Sequence, residues 1–183
     1  MDLKIIIVIA AIALAAAIFI AWYMTRRRRT EILQRRFGPE YERAVREIGP
    51  SRAEAALLER EERMKKISLR QLTFDEQNRF ASEWRVVQGR FVDAPQEAVV
   101  AADRLVDRVM LARGYPMTDF EQRAADISVD HPRVVDNYRA AHVIAQRQRR
   151  GEASTEDLRK AVLYFRSLFE DLLPETLRRR EVA

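Results

Sequence analysis

The sequence predicts an all-α chain: an N-terminal transmembrane helix followed by a cytoplasmic multi-helix bundle. Three observations carry this. Ile5 to Met24 holds twenty residues without a charge, followed at once by Arg26-Arg27-Arg28-Arg29. Beyond it, apolar residues recur at helical spacing, and no segment alternates at period two over a strand's length. The five glycines and six prolines fall almost entirely between those segments, with Gly89 the exception.

The apolar run contains ten residues of the Ile/Leu/Val/Phe type and seven alanines, closing on Trp22-Tyr23-Met24. Twenty helical residues rise about 30 Å, the thickness of a bilayer's hydrocarbon core. The expected membrane contacts are Ile5, Ile9, Ile12, Leu14, Ile18 and Phe19, with Trp22 and Tyr23 in the interfacial aromatic belt. Arg26, Arg27, Arg28 and Arg29 set topology and meet lipid headgroups. Cations are retained on the cytoplasmic side, so the N-terminus is expected outside and the C-terminal domain in the cytoplasm, at a bacterial inner membrane. A cleaved signal peptide fits less well. Its charged leader would be weak, and such apolar regions run about 7 to 15 residues. A buried soluble helix fits less well still, because few domains of this size hide a helix apolar on every face.

Four segments follow from the punctuation: the anchor at 1–25, a basic juxtamembrane stalk and short helix at 26–50, a charged spacer helix at 51–72, and a helical bundle at 73–183. No breaker lies between Met24 and Phe37, so the first helix is expected to run on as one rod to Gly38-Pro39. Pro39 suits the first turn of a short helix ending before Gly49-Pro50. Ser51 to Glu54 reads as a capping box for the charged helix. Within that helix, Glu59 and Arg63, Glu61 and Lys65, and Glu62 and Lys66 stand at i, i+4 spacing. With only Leu57 and Met64 apolar at heptad positions, it is expected to be largely exposed.

Thr73 to Glu76 is a second capping box, and Phe80, Trp84, Val87 and Phe91 make one face of the helix behind it. Gly89 inside it costs about 1 kcal/mol against Ala, which suggests a close helix approach or an early end. Asp93-Ala-Pro95 opens a helix whose inward positions are Ala98, Ala102, Leu105, Val109 and Ala112, closed by Gly114. Thr118 to Glu121 opens a short helix to about Ile127. Asp130-His131-Pro132 opens another, carrying Val134, Val135, Tyr138, Ala141, His142 and Ala145 inward. Ser154 to Asp157 caps the last, whose stripe is Leu158, Ala161, Val162, Phe165, Phe169 and Leu172, with Pro174 as its stop and Arg178 to Arg180 in a frayed tail.

The formal charge of +5 suggests nucleic acid until it is located. Met1 to Arg29 holds five cations and one anion, so from Thr30 onward 28 basic residues face 27 acidic ones, a net of +1. The excess is juxtamembrane and no nucleic-acid partner is expected. The absence of cysteine excludes disulfides, thiolate zinc sites and cysteine nucleophiles.

No Gly-rich phosphate loop, nucleophile elbow or His-Glu-x-x-His run is present. No metal, cofactor or catalytic residue is therefore assigned. The densest polar constellation is Asp126-Ile-Ser-Val-Asp130-His131. With His142 it makes a candidate polar site: carboxylates and imidazoles can hold a hard cation or move protons. The competing account is two helix ends, with Asp126 at a C-terminus and Asp130 an N-cap. His131 and His142, about 16 Å apart on one helix face, are too distant to share a metal. Gln88, Arg90, Arg113 and Tyr115 form a further candidate, for an anion.

At Arg36-Phe-Gly-Pro-Glu-Tyr-Glu-Arg43, Arg113-Gly-Tyr-Pro116, Asp126-Ile-Ser-Val-Asp-His-Pro132 and Gly151-Glu-Ala-Ser-Thr-Glu-Asp-Leu158 the chain resembles a group of uncharacterised bacterial single-pass membrane-anchored helical proteins. That resemblance implies an anchor and a helical domain but no activity. The expected function is a non-enzymatic, membrane-tethered interaction or scaffold module. Its partners would be the lipid bilayer and a protein, with no oligomeric state fixed. The alternative is a membrane-anchored enzyme or ligand sensor around Asp126, Asp130, His131 and His142.

Overall fold

The computed structural model describes residues 3–173. All the regular structure among the described residues is helical: α1 Leu3–Phe37, α2 Pro39–Ile48, α3 Pro50–Lys65, α4 Phe74–Asp93, α5 Pro95–Arg113, α6 Phe120–Asp130, α7 Val135–Arg149 and α8 Thr155–Leu172. The all-α expectation holds. Its membrane-spanning component has no support here, since among the described residues no helix is long and apolar enough to cross a membrane. The side chains of Ile5, Ile9, Ile12, Trp22 and Arg26 lie outside the described residues, as do Pro174 and the Arg178 to Arg180 tail.

The first helix does run unbroken through the arginines. It stops where Gly38 turns the chain at φ 49°, and Pro39, which has no N–H to leave unsatisfied, occupies the first turn of α2. Leu14, Ile18, Phe19 and Tyr23 on its amino-terminal half are exposed. Its last turns are not: Leu33 is 2% and Phe37 0% exposed, so the carboxyl end of the rod is built into the core.

Four long helices, α4, α5, α7 and α8, form the principal bundle, with α7–α8, α4–α5 and α5–α8 the closest-packed pairs. Trp84 stacks on Phe169 with centroids 4.8 Å apart, and Tyr138 meets the edge of Phe165 at 6.4 Å. The α2–α3 hairpin and α6 pack beside this bundle and receive the end of α1. One continuous hydrophobic core runs from Leu33 to Leu173.

Helix starts at Thr73 and Ser154 are reciprocal capping boxes, with Glu76 and Asp157 reaching back to the cap backbone. The Ser51 box does not form. Helix α3 begins two residues earlier, at Pro50 with Gly49 as its N-cap and no side-chain cap. Glu54 instead accepts from Thr30 Oγ1 at 2.7 Å and Tyr41 Oη at 3.2 Å, tying α3 to α1 and α2. Helix α3 buries Ala53, Leu57 and Met64, and its remaining residues are exposed or half-buried. Of its expected local pairs, Arg63 turns to Asp126, Glu61 to Arg36 at 2.7 Å, and Lys65 to Glu62.

Gly89 neither ends α4 nor admits a neighbour, since a Cβ there would meet nothing within 4 Å. Gly114 is the glycine with a packing reason. It takes φ 91° at the end of α5, and a Cβ there would lie 3.0 Å from the Ser68 carbonyl oxygen. The 66–73 connection is pinned at this point, with Arg70 N–H donating to Arg113 O at 2.9 Å.

Candidate functional site

The short helix expected to end near Ile127 continues to Asp130, and its cap is Asp119, which accepts from Gln122 N–H. Asp126 is therefore a helix-interior residue rather than a fraying end. It is 1% exposed, and a carboxylate this buried requires a cation and hydrogen bonds. Arg63 supplies them through Nε at 2.8 Å and Nη2 at 2.6 Å, and Gln122 Nε2 adds a third at 2.9 Å.

A second buried carboxylate, Glu40, was not singled out by sequence reading. It is 2% exposed and accepts from Arg60 Nη1 at 2.7 Å and from Arg139 Nη1 and Nη2 at 2.6 and 2.9 Å. Burial alone would raise its pKa, but the hydrogen bonds and charge of Arg139, then those of Arg60, outweigh it and hold the carboxyl below its ordinary value. Arg60 also donates to Ser128 Oγ at 3.2 Å, and Ser128 donates to Ala125 O at 2.6 Å. One charged cluster thus joins α2, α3, α6 and α7. No local signal reveals it: Glu40 reads as a first-turn acid favoured by the helix dipole, and its partner Arg139 is 99 residues away.

A cleft of about 400 Å³ opens beside this cluster, lined by Glu40, Arg43, Glu47, Arg60, Arg63 and Arg139 among others. Of its carboxylates, Glu40 is engaged by Arg60 and Arg139, and Glu47 by Arg43. Glu40 is stabilised as the anion and surrounded by donors, which makes it a structural counter-ion rather than a proton acceptor.

The four residues of the candidate polar site do not converge. Asp130 is the last residue of α6, not an N-cap; it is exposed, and Tyr115 Oη donates to it at 3.4 Å. Burial, then the Asp130 charge, raises the Tyr115 pKa. His131 caps the end of α6 and faces α8, its Nδ1 2.5 Å from Asp171 Oδ2 and its Nε2 3.4 Å from Arg113 Nη1. His142 sits elsewhere on α7, stacked on Phe120 with centroids 3.6 Å apart. Its pKa is lowered by burial and then by Arg149 and Arg123. The start of α7 also differs from expectation. Val134 is its N-cap, and residues 131–134 form a turn, so the two histidines do not share a helix face.

Asp130 and His131 line one cavity. It measures about 540 Å³ and is bounded also by Arg35, Arg36, Arg133 and Asp171. Among the described residues no three His, Asp or Glu side chains gather as a metal site would require. The anion candidate is likewise dispersed. Gln88 and Arg90 are exposed in the last turns of α4, whereas Arg113 ends α5 and donates to Leu172 O at 3.0 Å. With α4 and α5 joined by the single residue Ala94 and packed along their length, those helix ends lie at opposite ends of the hairpin.

A third depression, of about 340 Å³, runs between α4 and α5 and differs in character. Val86, Val87, Ala101 and Leu105 line it, with Arg90, Arg104, Arg108 and Glu83 alongside. No family model, curated protein or solved structure matches this chain.

Proposed function

We propose that this protein is a membrane-tethered helical interaction module, held at the inner face of a bacterial membrane and presenting its bundle to a protein partner. The observation that carries this reading is α1. The helix that begins in the apolar run continues without a break to Phe37. Its far end is fixed in the core by Leu33 and Phe37, by the Thr30–Glu54 hydrogen bond and by the Arg36–Glu61 ion pair. A flexible linker would leave the bundle free to turn; a continuous helix docked at its end holds it in one orientation relative to the apolar segment. The positive flank at Arg26 to Arg29 favours a cytoplasmic bundle. The enzyme or ligand-sensor alternative would have to use the Asp130–His131 cavity, since Asp126 is bound to Arg63 and Gln122 and His142 is stacked on Phe120.

Fractionation of cells producing the full chain, with reporter fusions at the C-terminus, tests the proposal. The expected result is retention in the membrane fraction through an alkaline wash, with signal from a cytoplasmic reporter. A chain found in the soluble fraction, or an active reporter on the outer side, would overturn it.

A further inference from the structure

The α4–α5 groove combines an apolar floor, cationic walls and a position away from the tether. Val87 and Leu105 at its base are 5% and 0% exposed, while Val86 stands 61% exposed at the lip. On α4 the lining residues Glu83, Val86, Val87 and Arg90 repeat at i, i+3, i+4, i+7. On α5, Ala101, Arg104, Leu105 and Arg108 do the same, and Leu111, 61% exposed, continues that face. Two parallel rows of this kind leave a trough into which a third helix packs ridge into groove.

The charges are unbalanced. Arg108 is paired with Glu83 across the groove. Neither Arg90 nor Arg104 has a carboxylate within ion-pair distance among the described residues, whereas the arginines of the buried clusters, Arg60, Arg63, Arg123 and Arg139, are all paired. Two unmatched cations on an apolar trough complement an apolar stripe flanked by carboxylates. The groove is also formed by helices other than α2, α3 and α6, the elements on which α1 packs, so it is displaced from the tether.

We propose that this groove docks an acidic amphipathic helix of a partner protein. The proposal rests on the interaction-module reading and adds the chemistry of the partner. The apolar stripe would cover Val86, Ala101 and Leu111, and carboxylates would meet Arg90 and Arg104.

The test uses the full chain in nanodiscs of neutral phosphatidylcholine. The probe is a fluorescein-labelled helical peptide of about 18 residues, close in length to the groove helices, with Leu at i, i+3, i+4, i+7 and Glu on both flanks. Fluorescence anisotropy should report saturable binding that weakens as salt rises. The R90E/R104E pair and, separately, Val86→Asp should each weaken it about tenfold or more. Lys160→Glu, at an exposed position on α8, should leave it unchanged. All these positions are surface-exposed, and circular dichroism would verify that each variant is folded. Absence of binding, or equal affinity in all variants, would overturn the proposal. So would anionic vesicles taking the place of the peptide at Arg90 and Arg104, or self-association abolished by Val86→Asp. Since the probe is added in solution, its failure alongside membrane retention would remove the groove and leave the tether. Binding by a chain that fractionates as soluble would do the reverse.

Discussion

Glu40 illustrates what one buried residue must satisfy. A carboxylate taken out of water requires compensation, and Arg60 and Arg139 provide three hydrogen bonds from two other helices. Glu40→Gln would remove the only ion-pair partner of Arg60 among the described residues and leave Arg139 with Asp136 alone, both guanidinium groups being mostly buried. Equilibrium denaturation should show a loss of about 3 kcal/mol. The pH dependence follows from the direction of the shift. The folded pKa lies below the ordinary value of 4.5, so this contribution is complete above pH 4.5 and is lost as pH falls through the lower, folded value. The Gln variant should lack that acid-side component; an acid limb identical to wild type would refute the assignment. Asp126 is likewise hydrogen-bonded, by Arg63 and Gln122, one turn of α3 away.

At the scale of the element, the helix boundaries separate local from non-local control. Thr73 and Ser154 cap as their sequences require, because the capping box is satisfied within four residues. Glu76 is held down to about 2, first by Arg70 and then by the Thr73 N–H, so this box is anionic at any physiological pH. Ser51 has the same pattern and does not cap, because Gly49-Pro50 already starts α3 and Glu54 is drawn to Thr30 and Tyr41. Substitution distinguishes the two. Thr73→Ala should cost about 1 kcal/mol in thermal or urea unfolding, and Ser51→Ala less than about 0.5 kcal/mol. Equal losses at both positions would contradict the structure. Helix α3 makes the same point, since Glu61 and Arg63, spaced for local pairs, go instead to Arg36 and Asp126, within reach only after folding.

For the whole molecule, the consequential feature is the join between rod and bundle. Phe37 is fully buried among α1, α2 and their neighbours, whereas Ile32, one turn earlier, is 64% exposed. Phe37→Ala should destabilise the fold by about 3–5 kcal/mol, read by chemical denaturation, while Ile32→Ala should change it by less than about 0.5 kcal/mol. A small effect at Phe37 would mean the rod is not part of the core and could not orient the bundle. The remainder of the molecule is a neutral bundle whose ionic clusters serve as ties between helices. The α4–α5 groove differs in pairing an apolar floor with Arg90 and Arg104, unpaired among the described residues.

The sequence by itself determined the helical class, the breakers and most of the helix faces. Period, capping boxes and glycine–proline punctuation are properties of a few adjacent residues, and helix α1's continuity needed only the absence of a breaker before Gly38. It also located the excess charge next to the apolar run. Tertiary structure alone decided which polar residues meet. Asp126 turns to Arg63, Asp130 and His131 line one cavity, and His142 stands apart on α7, because a turn at 131–134 separates α6 from α7. Glu40 and Arg139 are far apart in sequence yet bonded, because packing brings the start of α2 beside α7 as well as α3. Hydrogen bonds and ion pairs between helices depend on packing geometry, which a short-range pattern of residue types does not encode.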